Sequence, residues 1–123
     1  MKLGNMSVPG DCERISPILS RVGDKWTVLV ILILSEEPKR YNQIRREVEN
    51  ISQRMLTVTL RGLERDGLVM RRVFAEKNPP WVEYSLTELG HTLVEPLLAL
   101  CKWASTNYLL IEENARNAEA TCN

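Results

Sequence analysis

Residues 52–67, SQRMLTVTLRGLERDG, leave little choice of structure. At 3.6 residues per turn the segment separates into two unlike faces. Leu56, Leu60 and Leu63 fall at i, i+4 and i+7 with Thr59 beside them, whereas Arg54, Thr57, Val58, Arg61 and Arg65 lie opposite. Ser52 supplies a capping hydroxyl at the start, Ile51 a staple before it, and Gly67 a left-handed stop at the end. A leucine stripe that docks into a core, backed by guanidinium groups and small hydroxyls, suits a helix in a DNA major groove. Arginine forks onto guanine O6 and N7, threonine meets base edges or the thymine methyl, and further arginines hold phosphates. An ordinary solvated charged face has the same pattern, and the helix alone does not separate the two.

The distribution of charge favours the first reading. The chain carries 16 basic and 16 acidic residues, a balance that does not by itself mark a nucleic-acid binder. Between Lys39 and Arg72, however, nine basic residues stand against four acidic ones, and the remaining sequence is acidic to the same extent. A basic middle between acidic ends directs a positive field one way, and phosphate attraction depends on that field rather than on the total.

Other chemistries lack their parts. The three cysteines, Cys12, Cys101 and Cys122, are widely spaced with no CxxC pair, which argues against structural zinc and a disulfide framework. His91 is the single histidine, and no glycine-rich phosphate loop is present. We therefore expect no enzyme activity, metal or cofactor. The N-terminal MKLGNMSVPG has no apolar run or cleavage-like site, and the longest apolar run, Val28 to Leu34, is far short of the ~20 residues that span a bilayer. A cytoplasmic protein without membrane contact is expected.

The length fits one domain. Residues 1–10 read as a flexible arm, 11–114 as the folded domain and 115–123 as a frayed tail. Asp11 caps a first helix through Ile15, Ile18, Leu19 and Val22, ending near Gly23, and Asp24 caps the next segment, KWTVLVILIL. That run has strand propensity, but its length, its cap and its all-round apolar character predict a buried helix. After a turn at Pro38, Tyr41, Ile44 and Val48 mark a short amphipathic helix with Arg45 and Arg46 outward, followed by a turn at Glu49-Asn50. Beyond Gly67, Leu68 to Glu76 and Trp81 to Leu86 read as strands joined by Lys77-Asn78-Pro79-Pro80. Thr87 caps a C-terminal helical region that Pro96 is expected to kink or split. Gly62, inside the arginine-faced helix, costs about 1 kcal/mol relative to alanine. The predicted fold is mainly α with a small antiparallel β wing, a winged helix-turn-helix that dimerises through its N- and C-terminal helices.

At this point the sequence resembles the HxlR-type winged helix-turn-helix transcriptional regulators of bacteria, a MarR-like family. The matching residues are Cys12 opening the first helix, Gly23-Asp24-Lys25-Trp26-Thr27, and Arg40-Tyr41-Asn42-Gln43-Ile44 against the family's R-F-x-E-L. Ile51 to Thr57, Leu60 to Leu68 and Val82 to Gly90 follow in order and at family spacing. The resemblance implies homodimeric repressors or activators whose two recognition helices and two wings contact a pseudo-palindromic operator in double-stranded DNA. It departs at Trp81, where the family usually has a basic residue, and at Gly62, where it seldom has glycine.

Combining residues and resemblance, Arg54 and Arg61 are expected at base edges, with Gln53, Thr57 and Val58 beside them. Ser52 is primarily a cap within reach of a phosphate. Arg45, Arg46 and Arg65 are expected on phosphates, and Lys77 on a phosphate or in the minor groove. Trp26 reads as a core anchor, and Ile15, Leu19, Leu97, Leu100, Trp103 and Tyr108 as dimer contacts, because so apolar a region is not left in water. Cys101 reads as inert core and Cys122 as incidental.

Cys12 has two readings. In the first turn of a helix the dipole favours its thiolate, Arg14 helps, and Asp11 and Glu13 oppose. Some members of the family with a cysteine here respond to oxidants or electrophiles; the alternative is a cysteine packed in the dimer interface. A small-molecule effector is a second route of control, and an apolar pocket between the first and last helices would hold it. The alternative function is a winged-helix protein-interaction module without specific DNA binding; a thiol redox enzyme using Cys12 fails for lack of a resolving cysteine nearby in sequence.

Overall fold

The computed structural model describes residues 2–3, 6–7 and 12–122, with side chains described from 14 to 121. Two helices, α1 (Cys12–Val22) and α2 (Lys25–Leu34), lead into β3 (Lys39–Arg40), α3 (Tyr41–Glu47) and α4 (Gln53–Arg65). The hairpin β4 (Val69–Phe74) and β5 (Trp81–Leu86) follows, and then the 35-residue α5 (Glu88–Cys122). Ahead of them, in the segment expected as an arm, β1 (Lys2–Leu3) pairs antiparallel with β2 (Met6–Ser7). Asp11, expected as the cap of α1, lies outside the described residues, as do the side chains of Cys12 and Cys122.

The apolar segment 25–34 is helical, for the reasons its flanks give. Asp24 accepts a hydrogen bond from Thr27 N at 3.1 Å, and Ser35 N closes the last turn on Ile31 O at 3.0 Å. Its buried residues, Thr27, Val30, Ile31 and Leu34, repeat at helical spacing. Around α2 the core gathers Ile44 and Val48 near α3, Ile51, then Leu56, Leu60 and Leu63 from α4. Val69, Leu86 and Leu97 complete it from the sheet and α5.

The three-stranded sheet is antiparallel in the order β3-β5-β4. Arg40 and Arg72 both oppose Glu83 on the middle strand, and Phe74 opposes Trp81 at the wing end. Asn50 takes the left-handed turn between α3 and α4 at φ 69°, a conformation that asparagine tolerates best after glycine. Gly67 ends α4 at φ 77°, and Leu68 N bonds back to Leu63 O at 2.9 Å. Thr87 caps α5 by accepting from Gly90 N at 3.1 Å.

Three expectations are corrected. Pro96 does not split the C-terminal helix. It removes one helix hydrogen bond, while Leu93 and Leu97 on either side pack on the core and hold the axis together. The segment from Ala115, expected to fray, continues α5 to Cys122, since neither glycine nor proline interrupts it. Cys101 is exposed rather than core, on the part of α5 that has run past the body of the domain.

Candidate nucleic-acid interface

Helix α4 is built as its two faces require. Ser52 Oγ accepts from Met55 N at 3.0 Å, satisfying one of the N-terminal donors. Leu56, Thr59, Leu60, Gly62 and Leu63 are buried, and Gln53, Arg54, Val58, Arg61 and Arg65 are exposed. Among the described residues Arg45, Arg46, Arg54 and Arg61 have no ion-pair or hydrogen-bond partner, so their guanidinium donors are free for an external anion. Arg61 borders a cleft of about 310 Å³ shared with Arg71 of β4 and with Glu64 and Tyr84. The helix and the wing strand thereby bring two guanidinium groups to one opening.

Thr57 is placed differently from expectation. Tyr41 of α3 donates its hydroxyl to Gln53 O at 2.9 Å and lies 3.0 Å from Thr57 Oγ1. A phenol has one hydrogen, so with Gln53 O receiving it, the Thr57 hydroxyl is the donor to Tyr41. Thr57 therefore holds the first turns of α4 against α3, and with its hydrogen committed to Tyr41 it keeps an acceptor lone pair and its methyl group for a base. Tyr41 was missed in sequence because its apolar spacing explained it fully as core.

Lys39 also leaves the expected basic surface. Its side chain is 4% exposed, with Nζ 2.7 and 2.9 Å from the Glu47 carboxylate oxygens and 3.4 Å from Glu36. The Glu47 hydrogen bond holds its ammonium above the ordinary lysine range, against the opposing effect of burial. Residues 39–72 keep their net charge, since lysine and glutamate leave together, but this lysine is a strut.

Gly62 acquires a reason. A Cβ at this position would overlap the Arg21 guanidinium of α1, which crosses α4 here to pair with Asp66 at 2.5 Å. The unexplained glycine was the only trace of this contact in the sequence. Arg65 has just a long approach to Asp66, 3.9 Å, and is otherwise open to solvent. At the wing tip Lys77 is exposed, its Nζ 5.6 Å from the Trp81 ring centre.

The expected dimer contacts divide. Leu19, Leu100, Trp103 and Tyr108 are exposed, Trp103 at 57%, and Ile15 is half-buried. Leu97 is 3% exposed and belongs to the chain's own core, so it is corrected from dimer contact to core residue. Trp26 is half-buried against the core, with Lys25 Nζ 4.2 Å from its ring centre. Among the described residues no group of three His, Cys, Asp or Glu could hold a metal, and no helix is long and apolar enough to cross a membrane.

In this chain a helix-turn-helix whose second helix presents arginines unpaired among the described residues is followed by a hairpin wing. The family model described as HxlR-like helix-turn-helix matches residues 21–112. The chain belongs to the HxlR-like helix-turn-helix family. An HTH-type transcriptional regulator of Methanothermobacter thermautotrophicus is 43% identical over 97 residues, covering 76% of this chain and 73% of the relative. The solved structure of the redox regulator HypR in its reduced form is 40% identical with a TM-score of 0.73, covering 81% of this chain and 98% of that one. The transcriptional regulator YtfH of Salmonella typhimurium is 31% identical with a TM-score of 0.74, covering 93% and 99%. HxlR-like proteins of this kind are transcription regulators rather than enzymes.

Proposed function

We propose that this chain is a cytoplasmic, sequence-specific DNA-binding regulator that acts as a homodimer on a pseudo-palindromic operator. The observation that carries this reading is the outer face of α4 and α3, where Arg54, Arg61, Arg45 and Arg46 have no partner among the described residues. Arg54 and Arg61 read base edges beside Gln53 and Val58. Arg45, Arg46 and Arg65 hold phosphates, and Ser52 caps the helix within reach of one. The second copy docks on the apolar surface of α1 and α5, and the two recognition helices then enter major grooves about 34–36 Å apart.

Control is proposed to act through the thiol of Cys12, the first residue of α1. The similarity to a redox regulator solved in both reduced and oxidised forms supports this, as does the helix-terminal position. The test is a binding isotherm of reduced protein on duplexes selected from a random pool, against excess random duplex and at several salt concentrations. Nanomolar binding that survives competitor is expected, and Arg61→Ala should weaken it by about 1–3 kcal/mol while relaxing one base position. Affinity that is equally weak on every sequence would remove the specific-regulator reading. Oxidant should then change the affinity of the wild type and leave Cys12→Ser unaffected.

A further inference from the structure

Trp81 stands at the wing, where an indole contributes no charge, yet cations from two separate elements converge on it. The Arg40 guanidinium from β3 lies 3.9 Å from its ring centre, and the Lys77 ammonium from the wing turn lies 5.6 Å away. Next along the strand pair, Phe74 packs on Trp81 at 5.7 Å and carries the Arg72 guanidinium at 4.6 Å. The row Arg40, Trp81, Phe74, Arg72 is thus a pair of stacked rings with a guanidinium on each end.

None of the three cations has a carboxylate partner among the described residues. Glu83 is in register with both Arg40 and Arg72, but neither guanidinium pairs with it; both lie on rings instead. The Trp81 indole Nε1 is covered and has no acceptor among the described residues, and the contacts made at this position are on the ring face. A guanidinium held over an aromatic face is restricted in rotamer while its N–H donors stay available to other partners, a state suited to forking onto a phosphate. The stack also opens toward the rest of the interface. Arg40, Trp81 and Arg46 line one cleft of about 740 Å³, with Glu37 and Glu83 as its acidic members. Tyr41, next in sequence to Arg40, is bonded to the first turns of α4.

We propose that Trp81 is a platform that presents Arg40 and Lys77 to DNA backbone phosphates between the recognition helix and the wing, a phosphate site apart from α4. This rests on the DNA-binding reading above. Each phosphate contact adds about one counterion to the salt dependence of binding, so the site is read as a slope.

The experiment measures log Kd against log salt for wild type, Arg40→Ala, Trp81→Ala, Trp81→Phe and the Arg40→Ala/Trp81→Ala double variant. Both a selected duplex and a random duplex are used, and folding is verified by thermal melting. Arg40→Ala is expected to lower the slope by about one on both duplexes, because phosphate contacts are blind to sequence. Trp81→Ala should lower it by one to two, since Lys77 is released as well, and the double variant should lose no more than Trp81→Ala. Trp81→Phe keeps a ring face, so it should retain most of the slope even if Trp81→Ala disturbs the wing. Unchanged slopes in both Arg40→Ala and the Arg40→Ala/Trp81→Ala double variant, with Arg61→Ala still impairing the selected duplex, would overturn this site and leave the regulator reading intact. Additive losses in the double variant would overturn the platform. A wild type without sequence preference would remove the regulator reading, and a wild type that binds neither duplex would remove this inference with it.

Discussion

Arg21 of α1 lies across Gly62 of α4, and its Nε sits 2.5 Å from the Asp66 carboxylate at that helix's C-terminal end. None of the described side chains of α1 is buried, so this pair ties a lightly anchored helix directly to the recognition helix. It also separates two properties that sequence reading merges, the local cost of a glycine and its tertiary use.

Gly62→Ala should gain up to about 1 kcal/mol of helix propensity and lose about as much by displacing Arg21, whose pair with Asp66 is partly exposed. Net stability in urea is expected within about 1 kcal/mol of wild type. The coupling between Arg21→Ala and Asp66→Ala, measured as a double-mutant cycle, should vanish in the Gly62→Ala background. A coupling that persists there would show that Gly62 does not make room for the pair.

For Lys39 and Glu47 the two truncations are unequal. Lys39→Met leaves a half-exposed carboxylate that water can reach, and should cost about 1–2 kcal/mol. Glu47→Ala leaves an ammonium 4% exposed beside the more distant Glu36, and should cost more. Because the folded lysine pKa is raised, the pair's stabilisation is complete below the unfolded value of about 10.4 and is lost as pH climbs through the folded value. Chemical denaturation between pH 8 and 11 should show an alkaline decline that Glu47→Ala lacks.

Tyr41→Phe removes the hydroxyl that joins α3 to Gln53 O and Thr57. About 1 kcal/mol of stability should be lost. Affinity for a selected duplex should fall while the salt slope stays constant, since no phosphate contact is removed. A slope that fell by one would instead place Tyr41 on the backbone itself.

Glutamate at both Trp103 and Tyr108 would put charge into the proposed dimer surface of α5. Light scattering should then report the monomer mass where the wild type gives a dimer. Operator affinity should collapse toward that of a single half-site, with the thermal transition of the monomer fold retained. Dimers in both proteins would place the interface elsewhere.

Sequence patterning was sufficient wherever one helix or strand decided the matter. The Leu56-Leu60-Leu63 stripe, the Asp24, Ser52 and Thr87 caps and the Gly67 stop all appear as read, because caps and periodicity act within a few residues. Leu97 and Cys101 show the limit of that reading. Both lie on one apolar helix, and their spacing does not say where α5 leaves its own core, which depends on how far the elements packed against it extend.

By itself the sequence determined the order of the helices and the wing hairpin, the two-faced recognition helix and the family, since each is set by local propensity and by motif spacing. The short strands β1, β2 and β3 fall in segments that read as arm and turn. The tertiary structure alone decided which of its polar groups are free. Lys39 is taken by Glu47, Thr57 by Tyr41 and Asp66 by Arg21, while Arg40 is held by Trp81 and keeps its edge donors open. These partners are 8, 16, 45 and 41 residues apart. An ion pair or a cation on a ring forms only when folding brings both groups within a few ångströms, and no pattern confined to one helix or strand carries that distance.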